Sequence, residues 1–253
     1  MSETVDFSSA REVQRKARQG EPGQLRKEFY RQYRELLEGC YADIRSDVAG
    51  YTASSGESVS CVKGCSHCCE HFVSVTVSHS LVITDYLYTS ENAMSAFMRG
   101  YPRWLAAVQG DPAAKAVFTM LEQDTALSAD VKRSSEELRT AYHRYAIPCP
   151  FLEGKRCAIY AVRPLCCAGF FSMASPEFCR ADNEILVPLV QVVPSKAKLK
   201  KLAELTDIRL SAHQEALPTL VYKLLTRGFQ DVYLEVENLF KPQGGPPQPG
   251  NPD

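Results

Sequence analysis

Four cysteines fall within nine residues of the stretch CVKGCSHCCEHF: Cys61, Cys65, Cys68 and Cys69. Five more, Cys149, Cys157, Cys166, Cys167 and Cys179, form a second block that begins about 80 residues further on. Only Cys40 stands apart. Thiols crowded in this way constrain a chain more than any hydrophobic pattern does, because they must be paired as disulfides, used as nucleophiles or ligated to a metal.

Composition weighs against the first of these. A chain of 253 residues with 45% hydrophobic content fills a core without covalent staples, and ten cysteines are too few for a small disulfide scaffold. The N-terminus, MSETVDFSSAREVQRKARQG, lacks the apolar stretch of a secretory signal, and no run of roughly 18 apolar residues occurs. The expected location is therefore the reducing cytoplasm, where clustered cysteines are more often metal ligands or catalytic groups. A formal net charge of −1 gives no reason to expect nucleic acid or an anionic membrane as partner. The basic run SKAKLKK, from Ser195 to Lys201, reads as the solvated start of a helix.

The periodicity predicts a mainly α fold: a helical domain with irregular, cysteine-rich, metal-bound loops and at most a few short strands. The domain spans 23–240 with its cysteine-cluster core at 61–180, between a flexible N-terminus (1–22) and a disordered Pro/Gly-rich tail (241–253, KPQGGPPQPGNPD). Leu25, Phe29, Tyr33, Leu36, Leu37, Cys40, Ile44 and Val48 recur at spacings of three and four and mark one amphipathic helix. Cys40 lies on that stripe and reads as a buried apolar residue. Phe72, Val73, Val75 and Val77 suit a short strand, and helical patterning begins at Ser78. Two to four helices follow, with Asp111-Pro112 as one helix start, Ser134 and Glu137 spaced as a capping box, and Pro102 expected to interrupt the helix carrying Phe97, Tyr101 and Trp104. Prolines and glycines break the second block, which argues for backbone held by something other than regular hydrogen bonding. Residues 185–193 suit a strand or an extended segment, and helical patterns return from 196 to 240.

Cys61-x3-Cys65-x2-Cys68-Cys69 lets neighbouring sulfurs converge on one ion or cluster across a tight turn, and Gly64 sits where such a turn needs it. Adjacent pairs such as Cys68-Cys69 and Cys166-Cys167 project their side chains differently, which fits two sites or one polynuclear cluster better than a single tetrahedral ion. The candidate metal ligands are thus Cys61, Cys65, Cys68, Cys69, Cys149, Cys157, Cys166, Cys167 and Cys179. The expected cofactor is zinc or iron, the latter alone or as an iron–sulfur cluster. His67 is expected to support the ligands rather than to replace a thiolate, and His67 and His71 share a face if that stretch is helical. Lys63, Lys155, Arg156, Arg163 and Arg180 lie in or beside the blocks, where positive charge offsets that of the thiolates.

Both blocks together resemble the YkgJ-type cysteine-cluster family, the CxxCxxCC proteins, described as zinc- or iron-chelating domains. The residues that carry the likeness are Cys61, Cys65, Cys68 and Cys69, followed by CPFLEGKRCAIYAVRPLCC from Cys149 to Cys167. Family members have Arg-Pro, two residues, then Cys-Arg, so the resemblance places Cys167 on the family cysteine and makes Cys166 an addition, with Ala168 where Arg commonly follows. It implies metal chelation, with Ile159 and Tyr160 packed beside the site and Arg163 donating to thiolates or buried carbonyls. One branch is associated with flagellin N-methylase. That implies an alternative reading, an iron–sulfur-dependent protein lysine N-methylase or a related S-adenosylmethionine-using enzyme, although no Gly-rich cofactor turn is present. The sequence assigns no catalytic residue, and a metal-binding protein of unspecified reaction is the leading expectation.

Overall fold

The long helix α1 (Gln24–Ser55) buries Tyr33, Leu37, Cys40 and Ile44 along one face, the face that the three- and four-residue spacing marks. A computed structural model describes residues 24–61, 64–126, 132–183 and 189–240 of the chain. The expectations for 1–22, Lys63, 185–188 and 241–253 lie outside those residues, as do the side chains of Leu25 and Ser134.

Four helices separate the cysteine blocks among the described residues: α2 (Val77–Thr89), α3 (Glu91–Gly110), α4 (Pro112–Ala126) and α5 (Lys132–His143). The start of α4 follows its sequence signal, with Asp111 Oδ1 accepting from the backbone N–H groups of Ala113 (2.8 Å) and Ala114 (3.0 Å). Pro102, by contrast, does not interrupt α3. The helix runs through it because Phe97 before the proline and Tyr101, Trp104 and Val108 around and after it are all buried on one face. Packing along that face outweighs the single backbone hydrogen bond a proline removes.

Within the second block α6 (Leu165–Ala168) carries Cys166 and Cys167, and beyond the block lie α7 (Lys196–Glu204), α8 (Ile208–Ala212), α9 (Leu217–Thr226) and α10 (Phe229–Leu239). Strands are short and pair antiparallel in twos. β1 (Ser74–Thr76) pairs with β6 (Gln214–Ala216), β2 (Leu152–Glu153) with β3 (Arg156–Cys157), and β4 (Phe170–Ser172) with β5 (Leu189–Gln191). The β1–β6 ladder joins the segment after the first cysteine block to the C-terminal helices, and Val77 N–H extends the link by donating to His213 O (3.3 Å). Buried residues from α1 to α10 form one contiguous apolar cluster, and Cys149 and Cys157 pack against it. The cysteine blocks are thereby fixed to the core by their own flanks. Among the described residues no helix is long and apolar enough to cross a membrane.

Candidate metal centre

Each cysteine is carried on a short, irregular piece of backbone. Gly64 has φ +95° and makes the turn between Cys61 and Cys65 that only glycine adopts without strain. A 3-10 turn, His67–Glu70, then presents Cys68 and Cys69. In the second block a tight hairpin does the positioning. Gly154 (φ +53°) and Lys155 (φ +66°) both take left-handed conformations, the requirement of a type I′ two-residue turn. That turn pairs Leu152 with Cys157, while Leu152 N–H donates to Cys149 O (2.9 Å) and Ala158 N–H to Phe151 O (2.8 Å). Cys157 is folded back alongside Cys149. Phe151 anchors the turn, fully buried and stacked on Phe97 at 4.9 Å.

The two blocks meet directly. Cys149 N–H donates to Cys69 O at 2.7 Å. Ser60 N–H donates to Ser172 O (2.9 Å), its hydroxyl bonds to the carbonyls of Ser172 and Ala174, and Ser172 N–H approaches Cys61 Sγ at 3.4 Å. The backbone just before α6 is held from behind: Tyr41 of α1 donates its hydroxyl to Arg163 O (2.6 Å), and buried His79 of α2 places Nε2 at 3.0 Å from Val162 O.

Electrostatics sorts the thiols into two sets. Cys69 is pushed well above the ordinary thiol range because it donates a hydrogen bond to Cys68 and is desolvated, with the charges of Cys149 and Cys157 adding to the effect. Burial pushes Cys149 up to about 12, and the charges of Cys157 and Cys68 act in the same direction. Cys167 is raised by donating to Cys166, by burial, and by Cys149 and Cys157. Cys69, Cys149, Cys157 and Cys167, the inner set, thus lie within electrostatic reach of one another, and Cys68 within reach of Cys149 and Cys157. Cys61 belongs to an outer one: burial raises it despite the Ser172 N–H, and Cys65, Cys68 and Cys179 raise it further. Cys68 stands between the sets. The hydrogen bond from Cys69 holds it below the usual thiol range, and the Arg163 cation assists. Cys166 is exposed, with Sγ 3.8 Å from Ser74 O, and accepts the hydrogen bond of Cys167.

Arg163 supplies positive charge to Cys68 and to Cys157, and its guanidinium lies 4.1 Å over the Tyr160 ring. Of the pair expected beside the site, Ile159 is buried, whereas Tyr160 is 62% exposed and shields the arginine rather than the thiols. His67 and His71 do not share a helix face, because the 3-10 turn ends at Glu70 and the backbone is extended at His71. The Arg180 hydrogen bonds hold the Asp182 carboxyl below its ordinary range, and His67 lies within electrostatic reach of it. His71 stacks on His143 of α5 (centroids 3.8 Å, 11° between planes), and burial together with His143 and Arg139 lowers it to about 3. His143 places Nε2 at 3.2 Å from Cys179 O, leaving its buried Nδ1 without a hydrogen-bond partner.

His143 and Arg139, which donates to Phe72 O at 3.2 Å, lie one turn apart on α5 and were not identifiable from the sequence, since nothing local ties them to cysteines far along the chain. Cys40 is fully buried among the apolar residues of α1, away from both sets. None of the ten cysteines, all within the described residues, is disulfide-bonded. Among the described residues no three His, Cys, Asp or Glu side chains are yet close enough to hold an ion as they stand.

What the fold defines, then, is a helical scaffold in which two distant cysteine blocks come into direct backbone contact. A family model of CxxCxxCC type, described as "Putative zinc- or iron-chelating domain", matches residues 60–185, and the chain belongs to that family. No curated protein and no solved structure matches the chain.

Proposed function

We propose that the protein binds zinc or iron through thiolates drawn from both cysteine blocks. Cys69, Cys149, Cys157 and Cys167 form an inner site, and Cys61, Cys65 and Cys179 an outer one, with Cys68 placed to serve either. The carrying observation is the direct contact of segments about 80 residues apart, Cys149 N–H donating to Cys69 O at 2.7 Å, and the thiols of the two blocks raise one another in the same direction. The donor set fits such an ion. Buried thiols that resist deprotonation on their own lose their protons to solvent when a divalent cation binds in their place, and soft thiolates suit zinc and iron.

In this reading the chain's own groups divide the work. Arg163 offsets the excess negative charge of the thiolates, Tyr41 and His79 fix the backbone before α6, and Phe151 holds the hairpin that aligns Cys157 with Cys149. The metal ties the two blocks together. Anaerobic purification followed by metal and acid-labile sulfide analysis tests it. Bound zinc supports closed thiolate sites, and iron with sulfide supports a cluster in the same thiols. A folded protein that takes up neither metal from a stoichiometric supply contradicts the proposal.

A further inference from the structure

The rings of His143 and His71 stack with 3.8 Å between centroids and 11° between planes, and Phe170 of β4 meets His71 edge-on at 5.2 Å. This column connects two parts of the outer set. At one end His143 Nε2 lies 3.2 Å from Cys179 O. At the other, β4 continues to Ser172, whose N–H approaches Cys61 Sγ at 3.4 Å. A carbonyl oxygen only accepts, so in a neutral ring Nε2 carries the hydrogen and Nδ1 keeps the lone pair. Nδ1 is buried and finds no donor among the described residues, and an unsatisfied acceptor in a protein interior calls for a partner. The ring is also firmly placed. His143 ends α5, Ala146 N–H donates back to His143 O at 2.9 Å, and Ala146 takes φ +49°, an uncommon conformation for a residue with a Cβ, as the chain turns towards Cys149.

The outer thiols, for their part, are one donor short of a closed site. Cys68 is engaged on the inner side by the Cys69 hydrogen bond, by Arg163 and by its reach to Cys149 and Cys157, which leaves Cys61, Cys65 and Cys179. Their charge is also less well offset. Arg163 serves Cys68 and Cys157, and Arg180, adjacent to Cys179, forms a bidentate pair with Asp182 (2.9 and 2.7 Å). A neutral fourth ligand leaves one negative charge fewer than a fourth thiolate does, and imidazole nitrogen suits zinc and iron. Resting on the thiolate-centre reading above, we propose that Nδ1 of His143 is the fourth ligand of the outer site, completing Cys61, Cys65 and Cys179 as a three-sulfur, one-nitrogen set for zinc or iron. Loading displaces the thiol protons to solvent. The imidazole gives up none, and its Nε2–H stays on the Cys179 carbonyl, a bond that fixes the ring and a thiol ligand to each other.

The test uses the full chain stripped of metal and reloaded with zinc(II), and separately with iron(II), and reads metal stoichiometry and X-ray absorption at the edge of the bound metal. The unaltered protein should show imidazole scattering beside sulfur, a reading that needs no variant. In His143→Ala the imidazole signal should vanish, and one metal equivalent should be held more weakly by more than the roughly 10- to 100-fold that losing a supporting partner costs. His143→Gln, whose amide can keep the bond to the Cys179 carbonyl, should lose the signal and weaken the same equivalent. Sulfur ligands alone in the loaded, unaltered protein, an imidazole signal that survives in His143→Ala, or full metal retention in His143→Gln overturns the ligand role of His143 while leaving the centre intact. Absence of uptake of either metal by the unaltered protein overturns the centre itself, and the ligand role with it.

Discussion

Gly100, in the middle of α3, is where the helix touches the second cysteine block. A Cβ there would lie 2.2 Å from the carbonyl oxygen of Pro150, 2.7 Å from its Cα and 2.8 Å from its carbonyl carbon. All three are backbone atoms of the residue after Cys149, so no flexible side chain can move aside. In Gly100→Ala two effects compete. Helix propensity favours alanine by about 1 kcal/mol, whereas forcing an extra carbon into a packed contact costs typically 1–3 kcal/mol. Because the approach falls about 1 Å short of ordinary van der Waals contact, the cost should sit near the top of that range. The net expectation is a loss of roughly 2 kcal/mol, together with displacement of Cys149 and weaker metal retention. Gly50→Ala is the control, since that glycine lies within α1 and a Cβ there would have no neighbour within 4 Å; it should gain about 0.5–1 kcal/mol. Urea unfolding of the two variants, with metal content measured on the same samples, decides the matter. If Gly100→Ala is as stable as Gly50→Ala and retains its metal, the inferred pressure of α3 on the Cys149 turn is wrong.

Three further outcomes follow from the site and its surroundings. Cys40→Ala should leave bound metal unchanged and cost on the order of 1 kcal/mol, because Cys40 is fully buried in the α1 stripe; a lost metal equivalent on elemental analysis would place it in the centre. S-adenosylmethionine should alter neither the optical spectrum nor the melting temperature, since a shell filled by the chain's own ligands has no open position. Binding at a hundredfold excess over Kd would instead stabilise the fold by about 2.7 kcal/mol. Burial lowers His79 to about 4 although the Val162 carbonyl opposes the shift, so the folded state keeps this ring neutral while the unfolded chain takes a proton below about pH 6.5. The stability it contributes is full above that pH and is lost as pH falls towards 4, up to about 3 kcal/mol; His79→Gln should flatten this part of the unfolding-midpoint profile, and an unchanged profile would refute the assignment.

How much of this was legible beforehand depends on whether the signal is local. The α1 stripe, the Asp111 cap and the turn at Gly64 are short-range patterns, and each appears where the sequence puts it. Helix continuity through Pro102 was not legible, because it depends on what the buried face of α3 meets. The β1–β6 ladder pairs segments 140 residues apart, Ser74 with Ala216 at one end, and three-residue strands have no periodicity to recognise. At the site, spacing identified the cysteines. It did not show that Cys166 is exposed while Cys167 is only partly so, nor that His143 of α5 stacks on His71. Tyr160 illustrates the limit of motif reasoning: the IY pair reads as site packing, but the short 3-10 turn that begins at Tyr160 leaves its ring outside.

The central claim is that the two blocks supply ligands to one inner site, and a double-mutant comparison of metal stoichiometry tests it most directly. Cys69→Ser removes a thiol of the first block, Cys157→Ser one of the second, and the double variant both. If the blocks share the site, each single variant loses the same metal equivalent and the double variant loses no more. Additive losses, or retention of full stoichiometry in either single variant, would mean that the blocks bind separately or that the thiols gathered between Cys69 and Cys157 hold no metal.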